Sequence, residues 1–163
     1  ILRSGAKAGD GIYLSSLTGW SAAGLELLTR EISINSATAE KALSEFSAPT
    51  LDYTIDFSGA TAMADVSDSV LVQAEQIADA SGVQLALDQG LMTAAPEFNE
   101  LSELATELNA DVMQWILAGG EDHVLLATGA NLPGVRIGSV VAGSGITGVE
   151  MKMAPVSWSH FSN

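Results

Sequence analysis

The chain has 163 residues, 47% of them hydrophobic, and carries six Lys and Arg against twenty Asp and Glu, a formal charge of −14. That length suits one domain with a real core. The acidic balance excludes unaided binding to nucleic acid or to an anionic membrane surface, both of which are driven by basic patches. Cysteine is absent, which removes disulfides and thiolate metal sites. No apolar run reaches spanning length and no signal peptide is visible, so a cytoplasmic protein is the default expectation. The charge remains compatible with phosphate ligands held through Mg²⁺, which supplies the missing positive charge. Solubility alone accounts for most of such a surface. The opening Ile1-Leu2-Arg3-Ser4-Gly5 lacks an initiator Met and reads as the middle of a longer protein.

In chain order, Ile12-Tyr13-Leu14 predicts a short strand after the turn Ala8-Gly9-Asp10-Gly11. Gly19-Trp20-Ser21-Ala22-Ala23-Gly24 opens a helix to about Ile32, with Leu25, Leu28 and Ile32 on one side. A second helix runs from Ala37 to Phe46 and stops before Pro49. Leu51 to Phe57 alternates apolar and polar residues and predicts a strand. Ala62-Met63-Ala64 is strand-like. From Val66 the apolar residues Val70, Leu71, Ala74, Ile77 and Ala78 follow helical spacing, with Gly82 as the stop. Val83 to Leu87 is a strand and Leu91 to Phe98 a loop. Leu101 to Leu108 is a helix with Leu101, Leu104, Ala105 and Leu108 on one face, and Asp111 starts another through Leu117. Val124 to Ala127, Val135 to Val141 and Val149 to Met153 are strands, the last two joined by a glycine-rich hairpin. Helices and strands mixed throughout predict an α/β or α+β domain with a mixed sheet covered by helices.

The chemistry concentrates in Asp65-Val66-Ser67-Asp68-Ser69, two carboxylates three positions apart at the expected start of a helix. Converging carboxylates repel unless a cation lies between them, and oxygen ligands suit Mg²⁺. Asp and Ser are equally ordinary helix caps, and on local chemistry capping has the better claim. Gly119-Gly120-Glu121-Asp122 puts two more carboxylates at the mouth of a buried strand, where a polar connecting loop is the plainer reading. Gly143-Ser144-Gly145-Ile146-Thr147-Gly148 matches G-x-G-x-x-G, but a strand pattern rather than a helix follows it, so it is not a dinucleotide fingerprint. His123 and His160 lie far apart and give no zinc spacing. Trp158 and Phe161 could stack on a planar ligand or simply dock the tail.

These pieces together resemble the C-terminal domain of thiamine-monophosphate kinase, of the aminoimidazole ribonucleotide synthetase-related superfamily. The resemblance is carried by the opening Leu2 to Asp10 and Gly19 to Leu25. Asp65-Val66-Ser67-Asp68 matches D-[IV]-S-D-G, and Ala118 to Leu126 matches L-x-G-G-E-D-Y-E-L-L. Ile137-Gly138-Ser139-Val140 with the Gly143 to Gly145 segment, and the terminal Ser157-Trp158-Ser159-His160-Phe161, complete it. Three departures stand out: Ser69 replaces a glycine, His123-Val124 replaces Tyr-Glu, and Pro49 lacks the basic residues often found before it. A side chain at Ser69 would narrow the approach of a phosphate. The resemblance implies ATP-dependent phosphorylation of thiamine monophosphate to thiamine diphosphate. Asp65 and Asp68 would bind Mg²⁺, Ser67 the ATP phosphates and Glu121 the thiamine phosphate. Trp158 and Phe161 would lie against the thiamine rings. It also implies that residues 1–163 form one C-terminal domain. An absent N-terminal domain would supply further Mg²⁺-binding aspartates and the homodimer contact. The alternatives are another superfamily enzyme acting on a phosphorylated small molecule, a non-catalytic binding domain, or a domain inactive by itself.

Overall fold

Strand β1, Gly11–Leu14, is buried along its whole length because it has a neighbour on each side. It pairs antiparallel with β4 (Val124–Gly129) and with β5 (Val135–Val141). Outward from there, β2 (Ala62–Val66) pairs with β4, and β3 (Gln84–Leu87) pairs with β5, both antiparallel. The last strand, β6 (Gly145–Thr147), pairs parallel with β3, giving the order β2-β4-β1-β5-β3-β6. The computed structural model describes residues 1–52 and 54–149. The expected mixed sheet with helices packed against it is present.

Six helices lie among the described residues: α1 Trp20–Thr29, α2 Ala37–Ser47, α3 Val70–Ser81, α4 Gln89–Thr93, α5 Phe98–Leu108 and α6 Val112–Ala118. Capping follows local chemistry. Ser36, Ser69, Asp88 and Asp111 each accept a backbone N–H in the first turn of α2, α3, α4 and α6. Gly82 and Asn109 end α3 and α5 in the left-handed conformation. One continuous core joins sheet and helices through Ile12, Leu14, Leu27, Ile77, Leu85, Leu101, Leu104, Ile116, Leu117 and Leu126. Lys41 lies 3.8 Å from the ring centroid of Trp20 and pairs with Glu97 at 2.5 Å, tying α2 to α1 and to the start of α5.

Five expectations need correction. Helix α3 starts at Val70; Val66 belongs to β2, opposite Val124, and only imitates the helical spacing. The buried side of α1 is Trp20, Ser21, Ala23, Gly24 and Leu27, while Leu25 and Leu28 are exposed. Small residues let α1 and α2 approach closely: a Cβ on Gly24 would stand 2.2 Å from the Ala42 carbonyl oxygen. The stretch 51–57 is no strand among its described residues. Asp52 and Asp56 accept the N–H groups of Thr54 and Ser58, so the alternation comes from turn-forming aspartates. The stretch 91–98 is not all loop, because α4 reaches Thr93 and α5 begins at Phe98. Among the described residues the glycine-rich stretch is no hairpin, since it leads from β5 to β6 and these do not pair with each other. β3 lies between β5 and β6, and the chain crosses its start to reach the far edge. Residues 150–153 of the expected last strand lie outside the described residues.

Candidate functional site

The β2–α3 connection and the α6–β4 connection meet at one end of the sheet. Strands β2 and β4 are in register up to Val66 opposite Val124. The pairing then continues past both strands: the His123 N–H donates to the Val66 carbonyl at 3.1 Å, and the Glu121 N–H to the Ser67 carbonyl at 2.7 Å. Gly120 makes this contact sterically possible. A Cβ there would stand 2.2 Å from the Asp68 carbonyl oxygen. Glu121 and His123 both adopt left-handed backbone, with φ of 65° and 52°. Such strain in non-glycine residues persists only where the surroundings impose it.

Asp122, between them, turns inward. It is buried, and its carboxylate accepts the N–H of Gly19 at 2.8 Å and of Ser21 at 3.0 Å. The Gly19 cap position of α1 has no side chain to cap with, so Asp122 serves from across the fold. Burial pushes the Asp122 carboxyl up to about 6. Hydrogen bonds from Ser21, Gly19 and Trp20 pull it down, and the charge on Glu45 adds to the rise.

The side chains on either side face outward. His123 stands between Asp65 and Glu121: Nδ1 is 3.6 Å from Asp65 Oδ2 and Nε2 is 3.3 Å from Glu121 Oε2. Asp65 lies at the exposed end of β2, Ser67 is half-buried and Asp68 exposed. Ser69 has extended backbone (φ −169°), is buried and accepts the Val72 N–H at 3.2 Å. It is the true cap of α3, its backbone needs no glycine, and its side chain is engaged in that cap. Trp158 and Phe161 lie outside the described residues.

Among the described residues, no group of three or more His, Cys, Asp and Glu is gathered to hold a metal. Asp65 and Asp68 offer hard oxygen donors. That set fits Mg²⁺, which keeps several waters and uses one or two carboxylates together with substrate phosphates rather than a full protein cage. Sequence reasoning missed His123 as the residue between two candidate carboxylates, and Asp122 as a structural group. The uncapped Gly19 was the one available signal that α1 needed an acceptor from elsewhere. No helix is long and apolar enough to cross a membrane among the described residues.

No family model matches the chain. Thiamine-monophosphate kinase of Aquifex aeolicus (strain VF5) is 32% identical over 168 residues, taking in 98% of this chain and 54% of that protein. Thiamine-monophosphate kinase of Mycobacterium tuberculosis (strain CDC 1551 / Oshkosh) is 37% identical over 131 residues, 78% of this chain and 38% of that protein. The solved structure of AaThiL complexed with AMPPCP and TMP superposes with a TM-score of 0.80 at 30% identity, covering 98% of this chain and 53% of that one. Sheet, helices and paired loops therefore define a ThiL-like α/β domain. The chain belongs to the thiamine-monophosphate kinase family and spans about half the length of the Aquifex relative.

Proposed function

We propose that this chain is the C-terminal domain of an enzyme that transfers the γ-phosphoryl group of ATP to thiamine monophosphate. An oxygen of the thiamine phosphate forms the new bond to the γ-phosphorus, the bond from that phosphorus to the β–γ bridging oxygen breaks, and ADP leaves. The attacking oxygen is already ionised, so no strong general base is needed, and the protein's work is positioning and charge neutralisation. Asp65 and Asp68 hold Mg²⁺, which neutralises charge on two mutually repelling phosphate-bearing substrates. Ser67, just before α3, contacts the ATP phosphates near the positive end of that helix. Glu121 contacts the thiamine phosphate, and Trp158 and Phe161 lie against its rings. An N-terminal domain completes the metal set and forms a homodimer, in the cytoplasm.

The observation that carries this reading is the backbone bond from Glu121 to Ser67, which seats one acidic motif against the other. The test uses the complete reading frame with ATP, Mg²⁺ and thiamine monophosphate. Thiamine diphosphate is expected, with turnover falling at least about 100-fold in Asp68→Asn while the protein stays folded. Near-normal turnover in that variant would remove the metal assignment, and no product from the folded wild type would remove the substrate.

A further inference from the structure

Resting on the proposed function, we infer that His123 is a positioning residue that sets Glu121 and Asp65 relative to each other and so couples the substrate side of the site to the metal side. Among the described residues the imidazole is the one group placed against both carboxylates, within hydrogen-bond range of Glu121 and at the longer range of an ion pair from Asp65. Its Nε2 lies 3.3 Å from Glu121 and its Nδ1 3.6 Å from Asp65. The three side chains differ in freedom: His123 is 34% exposed, Asp65 51% and Glu121 69%.

Glu121 is a long side chain in open solvent, and left alone it samples many rotamers that a substrate contact must first quench. His123 is anchored better. Its backbone donates to Val66 at 3.1 Å, and the left-handed turns at residues 121 and 123 bracket the buried Asp122. A short ring on a fixed backbone thus restrains a long carboxylate and faces the carboxylate at the end of β2.

The two ring nitrogens can be separated by substitution. Glutamine places an amide nitrogen near the position of Nε2, and asparagine near that of Nδ1. Phenylalanine keeps the ring and removes both. In the complete protein, two quantities are read for each variant: KM and kcat for thiamine monophosphate at saturating Mg²⁺, and the Mg²⁺ concentration at the midpoint of its effect on thermal melting without nucleotide. His123→Phe is expected to raise both KM and the Mg²⁺ midpoint about two- to tenfold, with kcat within about twofold. His123→Gln restores KM only and His123→Asn restores the Mg²⁺ midpoint only. Unchanged KM and midpoint in His123→Phe would overturn the inference. So would equal impairment of both quantities in all three variants, which marks a merely structural residue. Were the wild type folded but inactive on thiamine monophosphate, the proposed function would fail. The melting arm would still decide the metal side of the inference, for it by a midpoint shift in His123→Phe reversed in His123→Asn, against it by no shift.

Discussion

The two edges of the sheet are both rich in glycine, and they use it differently. At the β2–β4 end, Gly120 lets one loop lie against the carbonyl oxygens of another, and exposed carboxylates collect on both. At the β3–β6 edge, Gly143 and Gly145 take positive φ where the chain crosses the start of β3, and Gly148 takes positive φ beside Leu87 at its end. Asp88, next to Gly148, is committed to the Gly90 N–H at 2.8 Å as the cap of α4. Glycine density alone therefore marks where backbone comes close to backbone. A site needs, in addition, side chains left over after capping, and the β2–β4 end has them.

Substitutions separate the two ends. Gly120→Ala is expected to have the largest effect, since its Cβ would meet the Asp68 carbonyl at 2.2 Å. A loss of about 2–3 kcal/mol in urea melts is expected, with turnover in the complete protein reduced about 100-fold. Full activity would show that the loops need not touch. Next comes Asp122, whose carboxyl is raised to about 6 from 3.8. The folded state then holds the proton more tightly than the unfolded chain does, so this group's contribution to stability is fully present below pH 3.8 and is lost as pH rises from there through about 6. A loss of about 2–3 kcal/mol follows from the size of the rise. Asp122→Asn should remove that slope from urea melts run across pH 4.5 to 7.5. The overall level also falls, because the amide leaves one α1 N–H without its acceptor. An unchanged slope would mean that the carboxyl is better stabilised as an anion than its burial implies.

At the opposite end, Gly145→Ala meets nothing within 4 Å and bears only the strain of a φ of 73°. About 1 kcal/mol of stability is expected to go, without change in turnover. Lost activity there would collapse the contrast between the ends. Ser69→Gly, which reinstates the family's residue, should change melting by only a few tenths of a kcal/mol, because glycine is a tolerable cap. A larger loss would give Ser69 a role beyond its bond to Val72.

Legibility followed the range of the forces involved. Helices α5 and α6 could be read in advance because one face of large apolar residues and one capping Asp111 are local facts. The strand β5 was legible for the same reason. The face of α1 was not, since its closest contact is made by Gly24 against α2, and hydrophobic periodicity follows large side chains. Nor was the placement of β6 beyond β3, because a strand chooses its partner by what edge is free in three dimensions. The two acidic motifs stood out by resemblance. What joins them, Gly120 over Asp68 and His123 between Asp65 and Glu121, depends on chain segments more than fifty residues apart and on no local pattern.

The bond from Gly19 to Asp122 spans 103 positions, so the start of α1 waits on a residue made long after it. Helix α1 has ten residues, too few to hold by themselves in water, and no cap of its own. During synthesis its first turn stays without an acceptor until residue 122 has left the ribosome. Closing so long a stretch of chain is entropically slow. The site and the start of α1 therefore depend on the same residue, and a chain truncated before Asp122 lacks the acceptor that completes both.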